Sequence, residues 1–210
     1  VARQGLVAAH VVLVVALSIA CGACGAPDRA TTQTNVSQPE PAAFTAGARM
    51  QRFHSTRFGV SVPFPDGKSW KIVDHKIPIL RATHDATRSI VELAIWHEDD
   101  LTNRAICETR AHEKGIAQEA SGEEVSTEVA AVPEGWDTGI WVGVDRANDR
   151  EATGHLIAFG AFVHKCLYFH FATTAEIAHA DAISDRLAFA RLRILGGLAL
   201  DSFDVPRAPH

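Results

Sequence analysis

The sequence is short of basic clusters, of long apolar runs and, past its first two dozen residues, of cysteine. Lysine and arginine number 20 against 25 aspartates and glutamates, a formal charge of -5 at pH 7, and no dense basic patch stands anywhere along the chain. A nucleic-acid partner needs such a patch to displace counterions from phosphate, so that class is set aside. The most apolar stretch, residues 6–20, is interrupted by His10 and falls short of the roughly 20 residues of a comfortable membrane-spanning helix. No phosphate-cradling GxGxxG or GxxxxGKS/T loop is present. The GxSxG hydrolase elbow fails too: Gly59-Val60-Ser61-Val62-Pro63 has proline where the last glycine belongs. No internal repeat is visible. What is there is ordinary for a globular protein, 47% hydrophobic and 21% charged.

Residues 1–20 set one arginine, Arg3, before the apolar stretch and end in small residues ahead of a cysteine, the pattern of a secretory leader. The run Leu17-Ser18-Ile19-Ala20-Cys21 resembles the lipobox of bacterial lipoproteins, in which a small residue precedes a cysteine that receives diacylglycerol before cleavage. That resemblance implies lipidation at Cys21, a membrane attachment through the lipid, and, with Gly22 rather than aspartate following, the outer membrane as destination. Each buried methylene contributes about 0.8 kcal/mol, so a multiply acylated cysteine holds durably. Three readings compete: an uncleaved anchor, an ordinary signal peptide, and a redox CxxC at Cys21-Gly22-Ala23-Cys24, which lacks the thioredoxin-like helix start. The expected organisation is a leader (1–20), a lipidated flexible tether (21–45), one globular α+β domain (46–200) and a disordered tail (201–210).

Within the domain, apolar runs broken by turn signals predict strands at 58–62, 70–73, 79–83, 89–97, 138–145, 154–162 and 166–173, with a poor one near 127–132 after an exposed, glutamate-rich link. A helix is expected over 100–115, capped by Asp100 or Thr102 and stopped by Gly115. A second spans 175–195, where Ile177, Ala180, Ile183, Leu187, Ala190 and Ile194 recur at steps of three and four. The fold class is α+β, a mainly antiparallel sheet covered by two helices in a layered α/β/α sandwich. This element order, with Phe58-Gly59-x-Ser61-x-Pro63 followed by Pro65, Gly67 and Trp70, resembles the PsbP/Mog1-like group over most of residues 53–195. The resemblance implies a binding or assembly module without a catalytic site of its own.

Cys107 and Cys166 are the last cysteines. In an oxidising envelope such a pair most often closes, restricting the unfolded chain by roughly 4 kcal/mol in the entropic view, while buried free thiols remain the alternative. Eleven histidines invite a metal, yet His97-Glu98 and His112-Glu113 begin HExxH patterns that Leu101 and Ile116 break. His164, Cys166 and His170 share parity, but a turn at 163–165 removes His164, and Cys166 to His170 spans about 13 Å of strand, too far for one ion. Hydrogen-bonded or solvent-facing histidines are therefore expected, with no metal and no cofactor. Glu98, Asp99 and Asp100 read as helix-capping charge. Of the four tryptophans, Trp136, in Pro133-Glu134-Gly135-Trp136-Asp137, is the candidate for an exposed partner contact.

The functional expectation is a non-catalytic, lipid-anchored binding or assembly module of the bacterial cell envelope with an envelope protein as partner. The alternative is a small-ligand carrier with a pocket between sheet and helices, which an apolar cavity ringed by polar groups would favour. An enzyme assembled only in three dimensions is the third reading, and histidines converging with carboxylates in a cleft would favour it.

Overall fold

Alternation along the late strands decides which way the chain packs. In β8 (Glu151–Phe162) and β9 (Lys165–Glu176), one parity places Leu156 and Ala158 opposite Phe171 and Phe169, and the other places Ile157 and Phe159 opposite His170 and Tyr168. Both sets are largely apolar, so both faces seek cover. The computed structural model describes Phe44 and residues 47–75, 78–118 and 122–201, all within one compact unit spanning 39–210. The leader, Cys21, most of the tether and residues 202–210 lie outside the described residues.

A seven-stranded antiparallel sheet runs in the order β3-β4-β5-β9-β8-β7-β6. Its other members are β3 (Trp70–Val73), β4 (Leu80–His84), β5 (Ser89–His97), β6 (Glu123–Ala130) and β7 (Asp137–Arg146). After β5 the chain crosses by α1 (Arg104–Glu113) to the far edge, then returns by hairpins until β9 closes beside β5. A smaller sheet, β1-β2-β10, is formed by β1 (Met50–Ser55), β2 (Val60–Pro65) and β10 (Ala199–Leu200). The architecture is the expected α+β class, a sheet-dominated sandwich with two helices.

The inner face packs on α2 (Ala180–Phe189), the π turn Ala190–Leu195 and β2. Leu93, Leu156, Phe169 and Phe171 meet Val62, Phe64, Ile183, Leu187 and Ile194 there, all buried. Each such side chain contributes about 1.5–3 kcal/mol on leaving water. Trp70 joins this core with its indole N–H satisfied by the Pro65 carbonyl at 2.9 Å. Gly154 is small because α2 leans on it: a side chain there would meet Ile183 at 2.3 Å.

Several boundaries differ from expectation. Asn103, not Asp100 or Thr102, caps α1, its side chain accepting from the Ile106 N–H at 3.0 Å, while Gly115 with φ +65° ends the helix region as expected. The long C-terminal helix is a composite: a 3-10 turn at Ile177–His179, then α2, then the π turn. Ile177 is therefore off the stripe and partly exposed, while Arg186 of α2 is buried. It donates to the Thr87 and Thr174 carbonyls and the Thr173 hydroxyl, which explains how a cation sits in that core. The link before 130 holds a full edge strand, β6, and β1 and β10 were not anticipated. Among the described residues no helix is long and apolar enough to cross a membrane.

Candidate functional site

The outer face of the large sheet is covered only in part. α1 lies across β8 and β9, where Ala111 and Cys107 are fully buried. The Cys107–Cys166 disulfide, with Cα atoms 5.3 Å apart, fastens the helix to β9 as the sequence led one to expect. The Thr102 hydroxyl lies 2.9 Å from the Cys107 sulfur, and since a disulfide has no hydrogen to give, the hydroxyl donates.

Beside α1 a cleft of about 470 Å³ opens, and β7 explains it. On its outward parity stand Gly139, Trp141 and Gly143, small, large and small. A side chain at Gly143 would lie 2.1 Å from the Trp141 indole, so the ring rests over that glycine and is held there. Gly139 leaves a hollow between Trp141, Phe159 and the helix. Ile157, the cross-strand partner of Trp141, completes the apolar floor. The rim is polar: Arg104, Glu108 and His112 from α1, and Asp137, Thr127 and Gln118 from the facing segments. Arg104 is held by Asp137, Nε to carboxylate 3.2 Å, and His112 packs on the Phe159 ring with centroids 5.8 Å apart.

Farther along the same face lies a chain of titratable groups that also borders Gln118. The His170 Nδ1–H donates to Glu92 Oε2 at 3.1 Å, and its Nε2 stands 3.1 Å from His155 Nδ1. His155 Nε2 faces Asp145 at 3.5 Å and Arg81 Nε faces Glu92 at 3.5 Å. The two imidazoles stack, centroids 5.4 Å apart and 11° from parallel. A hydrogen between the two facing ring nitrogens joins the imidazoles, so Glu92, His170, His155 and Asp145 form one continuous polar chain across the face. Burial lowers the His155 pKa, and the charge of His170 adds to this against Asp145. Burial pushes the Glu92 carboxyl up, but the His170 hydrogen bond and the charges of His170 and Arg81 outweigh it, leaving it below the ordinary range. Burial raises the neighbouring Tyr168 to about 12, its hydroxyl accepting from the Gln118 N–H at 3.3 Å.

The sequence-derived candidates are placed as follows. Cys107 and Cys166 are joined, whereas Cys21 lies outside the described residues. Trp136 corrects the expectation of an exposed contact: it is 2% exposed, stacked on Phe162 with centroids 5.8 Å apart, because the tight turn after Pro133 folds the indole inward. His164 sits in the turn before β9, apart from Cys166 and His170, as expected. The histidine chain and the cleft were not singled out. The small-large-small spacing of Gly139, Trp141 and Gly143 was the one readable signal for the cleft.

No protein-family model matches the chain, and no curated protein matches it in sequence. Among solved structures, a protein of Bacteroides thetaiotaomicron VPI-5482 is similar at 8% identity and a TM-score of 0.45, over 76% of this chain and 51% of that one. The chain thus spans about half the length of that protein. LpqN, involved in cell envelope biogenesis of Mycobacterium tuberculosis, is similar at 10% identity and a TM-score of 0.46, over 74% of this chain and 92% of that one.

Proposed function

We propose that this chain is a lipid-anchored, non-catalytic binding module of the bacterial cell envelope whose ligand occupies the cleft between α1 and the sheet. The observation that carries the reading is the cleft itself, about 470 Å³ with an apolar floor and a rim of hydrogen-bonding groups, the form expected of a ligand site. It favours the small-ligand version of the module over one that docks a partner through an exposed aromatic, since Trp136 is buried. The leader and Cys21 support the anchor, with Gly22 directing it to the outer membrane. The Phe58-Gly59-x-Ser61-x-Pro63 motif resembles that of the PsbP/Mog1-like group, and that resemblance favours binding over catalysis.

Histidines do meet carboxylates on the same face, the feature that would favour an enzyme. Their nitrogens are engaged with one another and with Glu92, and the nearby Thr153 and Thr174 hydroxyls bond each other at 3.0 Å. The domain's thiols are tied in the disulfide. A base without a free nucleophile beside it supports a structural role for this chain of groups.

The test is native mass spectrometry of protein gently extracted from the membranes of an expressing bacterium. Wild type should carry acyl mass that Cys21→Ala lacks, and a bound small molecule that Gly139→Trp, which fills the hollow, lacks. An unacylated protein recovered from the soluble fraction, or identical bound masses in wild type and Gly139→Trp, would overturn the proposal.

A further inference from the structure

We propose that the ligand of the cleft is a neutral saccharide, a short run of linked pyranose rings. This rests on the cleft being the binding site, and it follows from what the walls offer and withhold. The guanidinium on the rim, Arg104, is already engaged by Asp137, and Glu108 adds a carboxylate that ion-pairs with no cation among the described residues, so the site is ill suited to phosphate or another anion. The floor strands have their main-chain groups committed: β7 is paired on both edges by β6 and β8, and β8 by β7 and β9. An extended peptide laid there finds no ladder to join. An α-helix fares no better, because about 470 Å³ accommodates roughly one turn of a cylinder 10–12 Å across, whereas groove-bound helices use anchors over two or more. An acyl chain would leave the hydrogen-bonding rim unpaired on desolvation.

A sugar ring meets all these terms at once. Its apolar C–H face suits the indole of Trp141, which Gly143 lets lie flat and which therefore costs little ordering to use. Its edge hydroxyls both donate and accept, as do the groups around the rim: Glu108 accepts, His112, Gln118 and Thr127 do either. Charge plays almost no part in such binding, in keeping with a rim whose guanidinium is paired in place with Asp137.

Isothermal titration of the full chain with cellohexaose, maltohexaose, chitohexaose and mannohexaose tests this. At least one should bind saturably, and Trp141→Ala should weaken it about tenfold. Gly143→Ala leaves every rim group in place but displaces the indole, so it should weaken binding severalfold with unchanged circular dichroism. Arg52→Ala, on the small sheet, should change nothing. Binding by none of the four, or binding indifferent to both Trp141→Ala and Gly143→Ala, would overturn the saccharide assignment. Should none bind while Gly139→Trp still strips a molecule from the membrane-extracted protein, the cleft stands as the site and only the ligand class falls. Capture of a peptide that Trp141→Ala releases would overturn it in the same way.

Discussion

The two faces of the seven-stranded sheet are built from the same strands yet treat water differently. On the inner face Phe169, Phe171, Leu156 and Leu93 are sealed under α2 and the small sheet, and the one cation among them, Arg186, has carbonyl and hydroxyl acceptors around it. On the outer face a single helix, pinned by a disulfide, covers part of the surface, and the remainder carries glycines, an indole and a chain of charged groups. Packing density serves stability on one side, while its absence on the other leaves room for a ligand. Stability and binding should therefore be separable by face.

The largest separation is expected at Phe171→Ala, which empties a fully buried inner-face site and should cost about 3–5 kcal/mol in urea unfolding. Trp141→Ala costing as much would erase the distinction. Next comes the disulfide: Cys107→Ala with Cys166→Ala should cost roughly 2–4 kcal/mol, and because it frees one wall of the cleft it should also weaken ligand binding, read by unfolding and titration of the same sample. Smaller is His170→Leu, which leaves the Glu92 carboxylate buried without its donor and should cost about 1–3 kcal/mol near neutral pH. Acidification acts in the same direction. His84 and His155 are lowered by burial from an ordinary 6.5 and Glu92 lies below its ordinary range, so each binds protons more readily unfolded. The contribution of the two histidines is present above about pH 6.5 and is lost as pH falls through that value, and that of Glu92 is present above about pH 4.5 and is lost below it. Thermal unfolding across this range should show the decline, and His155→Gln should flatten its upper part. Smallest is Trp141→Ala itself, about 1 kcal/mol or less in stability while binding weakens about tenfold.

How far the sequence could be read divides along the same line. Strands β5, β7, β8 and β9 were legible because long apolar runs stop at turns such as Ala147-Asn148-Asp149-Arg150, where Asn148 Oδ1 accepts from the Arg150 and Glu151 N–H groups. Strand β1, MQRFHS, was not, since it pairs on one edge only and shows half of its side chains to water. Strand β6 read as a link ending in a poor strand near 127–132 for a similar reason: its glutamates and exposed Val125 and Val129 carry no alternation, and its place is given by pairing with β7. The cap of α1 moved to Asn103 because Thr102 is spent on the disulfide and on an N–H bond to the Val163 carbonyl. The histidine chain required the register of β5 against β9, which sets Glu92 opposite His170 across 78 residues of sequence. No local pattern encodes that pairing.

Hydrogen exchange, followed by mass spectrometry on protein still in its native membranes and again after exhaustive washing, tests most directly where the ligand sits. Washing should release protection in residues 103–112 and 137–143, the helix wall and the floor of the cleft, while β2 and α2 exchange at unchanged rates. Protection that is the same before and after, or that changes on α2 instead, would contradict the account.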